Sequence, residues 1–114
     1  MYQTILDSDP IGWTSLDFPG VEMRILNQDN VTGAMSVLTR IKPGCQVPAH
    51  WHGQAEETVY VLEGDFIEGG ISHGPGTFFA GKAGTEHGPH RSEEGCLVLT
   101  QFSAELDFHL VEPT

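Results

Sequence analysis

Between residues 48 and 60 the chain reads Pro48-Ala49-His50-Trp51-His52-Gly53-Gln54-Ala55-Glu56-Glu57-Thr58-Val59-Tyr60. Residues i and i+2 of an extended segment point to the same face, so His50 and His52 are expected to project together, with Trp51 on the other face. Glu57 follows a predicted turn at 53–55 and opens the next predicted strand, where antiparallel pairing can bring it near the two histidines. The stretch therefore predicts a β-hairpin that presents two imidazoles and a carboxylate.

A third histidine that can join this group lies in the later run Gly84-Thr85-Glu86-His87-Gly88. Imidazole and carboxylate are ligands that borderline divalent metals accept. We therefore predict a metal site made of His50, His52, Glu57 and His87, provided that long-range strand pairing brings His87 to the other three. The competing interpretation is that a His-x-His pair is by itself weak evidence for a metal and that a Glu-Glu pair is usually a solvated face.

Short runs rich in Val, Ile, Leu, Phe and Thr alternate with glycine and proline along the chain. These runs predict strands at 21–26, 34–41, 58–62, 65–68, 77–80 and 96–102. No segment has a helical period over three turns. The pattern predicts an all-β protein with an antiparallel sandwich or barrel, in one domain over residues 1–114. Residues 1–12 are interpreted as an N-terminal arm that packs on the barrel or on a second subunit, and 107–114 as an edge strand or a loosely ordered tail.

The 114 residues leave room for a single core, and the formal net charge is −11. So acidic a chain is not expected to bind nucleic acid or an anionic membrane surface, because both need clustered Lys and Arg. No apolar run approaches the roughly 20 residues that span a membrane, and no signal peptide is predicted, so a cytoplasmic location is expected. Cys45 and Cys96 are then expected to be free thiols, with Cys96 a small core residue.

The spacing around the first two histidines resembles the first motif of the cupin superfamily. Gly44 is followed after five residues by His50 and His52, after four more by Glu57 and after six more by Gly64. This run has no departure from the family pattern. The resemblance implies an antiparallel β-sandwich jelly roll, the cupin barrel, in which these two histidines and the glutamate are metal ligands.

The spacing around the third histidine resembles the second cupin motif, with two departures. Gly76 is followed after five residues by Lys82-Ala83-Gly84, after two more by His87 and after three more by Arg91. Lys82 stands where the family has proline, and Arg91 stands where it has asparagine. The histidine ligand of the motif is kept as His87, so the departures concern the turn and the surroundings of the ligands.

Within that superfamily, the chain is similar to the cupin-like domain of the ChrR-type anti-sigma factors over residues 13–102. The similarity lies in the short runs Trp13-Thr14, Pro19-Gly20-Val21, Leu38-Thr39-Arg40, Pro43-Gly44, Val61-Leu62-Glu63-Gly64 and Glu94-Gly95-Cys96. In those proteins a zinc-binding domain that contacts the sigma factor precedes the cupin. Its cysteine and histidine ligands have no counterpart here, so sigma-factor binding is not expected of this chain.

The chain is also similar to stand-alone cupins that include acetylacetone-cleaving dioxygenases, which hold iron(II) with three histidines. The resemblance implies, as a first hypothesis, an iron(II)-dependent dioxygenase acting on a small carbonyl or diketone compound. Zinc, manganese or nickel could occupy the same ligands and act as a Lewis acid or activate water. The second hypothesis is a non-catalytic module that binds a metal or a small molecule. A homodimer is expected, since proteins resembling small cupins commonly pair through an edge strand and the N-terminal arm.

Four polar residues close to the predicted ligands have open roles. Glu56 and Glu86 could each substitute as ligand or base, although strand alternation ranks Glu56 as solvent-facing. His90 and Arg91 either orient a substrate carboxylate or support the ligands, or they lie in a surface turn. The two remaining histidines, His73 and His109, are expected to be solvated.

Overall fold

A computed structural model describes residues 1–112 of the chain, and within that range the chain forms twelve strands and no helix. The strands are β1 (Thr14–Ser15), β2 (Val21–Gln28), β3 (Met35–Ile41), β4 (Gln46–Val47), β5 (His50–Trp51), β6 (Glu57–Gly64), β7 (Phe66–Glu68), β8 (Ile71–His73), β9 (Phe78–Gly81), β10 (His90–Arg91), β11 (Cys96–Phe102) and β12 (His109–Leu110). No membrane-crossing helix occurs among these described residues.

The strands form two main sheets, and every pairing in them is antiparallel. The larger sheet has the order β1-β2-β3-β11-β6-β9, and the smaller has the order β4-β10-β7-β8. A third, two-stranded pairing joins β12 to β5. Strands that are distant in sequence are therefore neighbours in space, as when β11 lies between β3 and β6. This is the jelly roll, so the predicted all-β fold class is confirmed.

The core lies between the two sheets and follows the two-residue period of the strands. In β11, Cys96, Val98, Thr100 and Phe102 are buried, whereas the residues between them are more exposed. Val98 packs with Val21, Ile41, Val59, Val61 and Phe66 in the main cluster of buried side chains. Full burial of an aliphatic or aromatic side chain stabilises a fold by roughly 1.5–3 kcal/mol, so this cluster holds the two sheets together.

The longer strands agree with the sequence-based expectations, and the shortest ones were not predicted. The expected strand at 65–68 is β7, and the extended segment at His50 is β5. In the tail, His109 and Leu110 form β12 and pair with Trp51 and His50 of β5, so this end is an edge strand. Residues 113–114 of the predicted tail lie outside the described residues. Cys45 and Cys96 are both free, and Cys96 is buried, as expected.

Candidate metal centre

Backbone pairing brings the two cupin motifs together. The backbone N–H of His50 donates to the carbonyl oxygen of His87 at 2.9 Å, and the N–H of His87 donates to the carbonyl oxygen of His50 at 2.9 Å. His87 therefore meets β5 through one isolated antiparallel bridge. The expectation that His87 comes from a strand is corrected here: a single bridged residue, not a strand, carries it. The long-range pairing that the site required is present.

The four residues predicted as ligands meet in the interior of the barrel. Nε2 of His87 lies 3.0 Å from Nε2 of His50 and 3.0 Å from Oε2 of Glu57. Nε2 of His52 lies 3.9 Å from Oε2 of Glu57. One ligand atom from each of His52, Glu57 and His87 falls within 4.8 Å of the others, a spacing suited to a metal ion. His50 and His52 are both 3% exposed, so the cluster is shielded from bulk water.

The backbone holds the rings of the first two histidines. Nδ1 of His50 lies 2.7 Å from the carbonyl oxygen of Pro48, and Nδ1 of His52 lies 2.7 Å from the carbonyl oxygen of Asp107. A carbonyl oxygen can only accept, so each Nδ1 carries a proton, and in the neutral ring each Nε2 carries a lone pair. Nε2 of His52 is buried and has no hydrogen-bond partner within residues 1–112. The arrangement offers two inward-facing lone pairs to a metal.

Burial sets the charge of the cluster. It lowers the pKa of His50 to about 3, and the neighbouring imidazoles add to this effect. It also lowers the pKa of His87 to about 4, with further contributions from His90 and His52. Burial raises the pKa of Glu57, because the ionised carboxylate loses water. At neutral pH His50 and His87 are therefore neutral, which is the protonation state that a metal requires of imidazole.

The structure adds a residue whose role the sequence left open. His90, on β10, has a side chain that is only 12% exposed, and it donates from Nδ1 to the carboxylate of Glu68 on β7. Glu68 also accepts from the N–H of Gly88 at 2.8 Å. Nε2 of His90 is buried without a partner in the described part of the chain. One ring nitrogen of His90 also lies within 4.8 Å of ring nitrogens of His50 and His87. The surface-turn alternative for His90 is therefore wrong.

The other polar neighbours lie away from the centre. Glu56 and Glu86 are exposed, and Arg91 is exposed and pairs with Glu93 at 3.3 Å. His109, which was expected to be solvated, is half-exposed. Its Nε2 lies 2.6 Å from the Asp107 carboxylate, and its ring stacks on Trp51. Nothing in the local sequence around His90 predicted its carboxylate partner, because Glu68 lies on another strand.

A cavity of about 280 Å³ opens beside the imidazoles. Its lining is mostly apolar and consists of Leu16, Asp17, Phe18, Met23, Thr39, Ile41, Val47, His50, His52, Glu57, Val59, Phe66, His90, Val98, Thr100, Phe102, Leu106 and Phe108. Phe108 stacks on His50 with ring centroids 4.3 Å apart and lies 5.6 Å from the ring of Phe18. A small organic molecule in this cavity would reach the imidazole cluster directly.

A jelly roll with histidines and a glutamate gathered inside it defines the cupin class of protein. The chain belongs to the family of the ChrR cupin-like domain, whose sequence model matches residues 2–104. Among proteins of curated function, none matches this chain in sequence.

Solved structures confirm the fold. The polyketide cyclase RemF from Streptomyces resistomycificus is 19% identical with a TM-score of 0.82, and the match covers 99% of this chain and 88% of RemF. A candidate acetylacetone dioxygenase from Methylibium petroleiphilum is 14% identical with a TM-score of 0.82, over 99% of this chain and 83% of that chain. A chain of the Rhodobacter sphaeroides complex of SigE with the anti-sigma ChrR is 26% identical with a TM-score of 0.68. That match covers 82% of this chain and 50% of that chain.

Proposed function

We propose that the chain is a metal-binding cupin in which His50, His52, Glu57 and His87 hold one divalent metal ion. The observation that carries the proposal is the convergence of the Nε2 atoms and the Glu57 carboxylate, with two of the Nδ1 atoms fixed on backbone carbonyls. Three neutral imidazoles and one carboxylate leave a divalent site with a net charge of about +1. Such a donor set fits iron(II), zinc, manganese and nickel.

The activity that this site supports best is an iron(II)-dependent dioxygenase reaction on a small carbonyl or diketone compound. When bound, iron(II) would supply open positions for a substrate oxygen and for dioxygen. The protein contributes a mostly apolar cavity that can hold a small molecule against the imidazoles. The relatives of similar fold include a cyclase and a candidate dioxygenase, which supports a small-molecule substrate.

A non-catalytic module is the second candidate function. The family takes its description from ChrR, and one match of similar fold comes from a complex of an anti-sigma with a sigma factor. In this version the cavity would bind a metal or a small molecule without turnover. The two candidate functions share the metal site and differ only in whether a substrate is turned over.

Metal content tests the site. Purified protein should carry about one divalent metal ion per chain by elemental analysis, and the double variant His50→Ala, His52→Ala should lose it. His73→Ala is the matched control, because His73 lies on β8 against Phe79 and outside the cluster. Unchanged metal stoichiometry in the double variant would show that the assignment of ligands is wrong.

Oxygen uptake separates the two functions. The iron(II)-loaded protein is incubated with a panel of diketones and phenolic ketones while dissolved oxygen is followed with an electrode. The dioxygenase proposal expects substrate-dependent uptake that the His50, His52 double variant lacks. Full iron occupancy without uptake for any substrate would favour the non-catalytic module.

We also infer that the chain forms a homodimer through its exposed N-terminal arm and an edge strand. Tyr2 is 82% exposed and Ile5 is 85% exposed, and β9 is an edge strand that carries the exposed Phe78. Light scattering should give about twice the chain mass of 12.4 kDa, and removal of residues 1–12 should shift it towards the monomer. A monomeric mass for the full chain would refute this.

A further inference from the structure

Among residues 1–112, no lysine or arginine side chain lines the cavity. Its polar lining consists of carboxylates, imidazoles and two threonine hydroxyls. Each of the five basic side chains in the sequence lies elsewhere. Arg24 and Arg40 contact the Trp13 ring, Lys42 pairs with Glu22, Arg91 pairs with Glu93, and Lys82 is exposed. A carboxylate or phosphate group of a ligand would meet no lysine or arginine in the cavity, and the Asp17 carboxylate would repel it.

Of the three imidazoles that line the cavity, His90 is the one that is not a proposed metal ligand. A carboxylate oxygen can only accept, so Nδ1 of His90 donates to Glu68; in the tautomer with its proton on Nδ1, the lone pair is on Nε2. This Nε2 is buried and has no protein partner within residues 1–112, and His90 lines the cavity. A buried acceptor without a partner is costly, so a ligand that donates a hydrogen bond there gains free energy.

The walls of the cavity suit a flat ligand. The ring of Phe66 lies 5.0 Å from the ring of His90 at an angle of 31°, and Phe108 stacks on His50 at 24°. Phe102 contributes another aromatic face. Planar rings pack against such walls in offset or tilted arrangements with centroids about 4.5–7 Å apart.

We propose that the cavity selects flat, uncharged carbonyl compounds that carry an enol or phenol hydroxyl, and that Nε2 of His90 accepts the hydrogen bond of that hydroxyl. Glu68 is the positioning residue that holds the ring and its tautomer. The inference deepens the proposed function, on which it rests for the role of the metal, by naming the substrate class of the same site.

Three probes of similar size test separately the preference for a hydroxyl and the preference for an uncharged ligand. 3-Hydroxyacetophenone has the carbonyl and a hydroxyl that cannot bond to it internally, acetophenone lacks the hydroxyl, and 3-hydroxybenzoate replaces the ketone with a carboxylate. Titration calorimetry on the full chain after removal of metal by a chelator should give the tightest binding for 3-hydroxyacetophenone. We expect it to bind about tenfold tighter than either of the other two.

The role of His90 is measured on the zinc-loaded protein, in which the other imidazoles are occupied. His90→Phe should weaken binding of 3-hydroxyacetophenone about tenfold and leave acetophenone unchanged. His90→Gln, whose amide oxygen can accept, should restore part of the preference for the hydroxyl. Glu68→Gln should reduce that preference, because an amide oxygen or an amide N–H can face Nδ1 and the tautomer is no longer fixed. His73→Phe, outside the cavity, is the control and should bind all probes as the original chain does.

The outcomes separate this inference from the metal proposal, because metal content is measured in parallel. A chain that binds no metal but keeps the probe order would contradict the metal site and support the selectivity of the cavity. Tighter binding of 3-hydroxybenzoate, a hydroxyl preference that survives in both His90→Phe and Glu68→Gln, or no binding of any probe would overturn the inference. Unfolding curves of the variants identify any loss of probe binding that comes from misfolding. If His90→Phe does not fold, the probe binding of His90→Gln decides whether His90 accepts the hydrogen bond.

Discussion

At the scale of single residues, the orientation of a ring matters as much as its position. His50 and His52 point the same way because they are two residues apart in an extended segment, and their ring centroids are 4.9 Å apart. Which nitrogen faces inward is decided by the carbonyl oxygens of Pro48 and Asp107. The first partner is local in sequence, whereas Asp107 comes from the far end of the chain. The His-x-His spacing therefore predicted the pair of rings but not what holds them.

Asp107 is expected to support metal binding although it does not contact the metal position. Its carboxylate accepts from the N–H groups of Gly53 at 2.9 Å and Gln54 at 3.2 Å, which fixes the loop that follows His52. Removing such a supporting partner typically weakens metal affinity about 10–100-fold. We therefore expect Asp107→Ala to weaken zinc binding by at least about tenfold in a competition titration with a chromogenic chelator.

Asp29→Ala is the matched control for this prediction. The Asp29 carboxylate also accepts from two backbone N–H groups, those of Val31 at 2.7 Å and Thr32 at 3.0 Å, but in the turn between β2 and β3. Its removal should lower the melting temperature without changing zinc affinity. Equal zinc affinities for Asp107→Ala and the original chain would show that the carboxylate contacts to Gly53 and Gln54 do not position His52.

At the scale of elements, the two glycines of the first motif are needed for different structural reasons. Gly44 and Gly64 both have positive φ, 78° and 82°, which side chains disfavour. A Cβ on Gly44 would meet nothing within 4 Å, whereas a Cβ on Gly64 would lie 1.9 Å from the carbonyl oxygen of Gly95. Gly64 ends β6 where that strand pairs with Cys96 of β11, so the two backbones approach closely there.

Alanine at these two glycines should therefore have unequal effects on stability. Gly44→Ala carries only the strain of the backbone conformation, about 1–2 kcal/mol of the free energy of unfolding. Gly64→Ala adds an overlap with backbone that cannot move away. This variant should therefore lower the free energy of unfolding by more than about 4 kcal/mol or fail to fold. Urea unfolding of both variants measures the difference. Equal losses would mean that the close approach to Gly95 relaxes without cost.

The elements that the sequence predicted are those long enough to show an alternating pattern. In β11, the buried positions Cys96, Val98, Thr100 and Phe102 repeat every second residue. The strands of two or three residues, such as β4, β10 and β12, are too short for any pattern. They exist because neighbouring strands in the folded sheet supply their hydrogen bonds.

At the scale of the whole molecule, the buried imidazoles make the stability of the metal-free protein depend on pH. The folded-state pKa values of His50 and His87, about 3 and about 4, lie below the ordinary histidine value of 6.5. Below pH 6.5 the unfolded chain therefore binds protons that the folded chain does not, and the free energy of unfolding falls as the pH falls. The raised pKa of Glu57 changes the free energy of unfolding in the opposite direction, but it is a single group, whereas His50 and His87 are two.

The melting temperature of chelator-treated protein should thus decrease steadily between pH 7 and pH 4.5, in the window between the folded and unfolded histidine pKa values. His50→Gln should flatten this dependence, because its side chain does not titrate. Differential scanning calorimetry at constant ionic strength measures both curves. A melting temperature that stays constant or rises over this range would contradict the neutral state of the imidazoles.

The sequence by itself determined the all-β class, the longer strands and the chemical character of a possible metal site. These are local properties, set by the two-residue period of strands, by glycines at turns and by the spacing of His50, His52 and Glu57. Only the tertiary structure decided that His87 meets them through a single bridge, that Asp107 orients His52, and that Glu68 turns His90 towards the cavity. Each of these contacts joins segments that are distant along the chain, so their formation depends on the order of strands in the sheets, which local patterns do not encode.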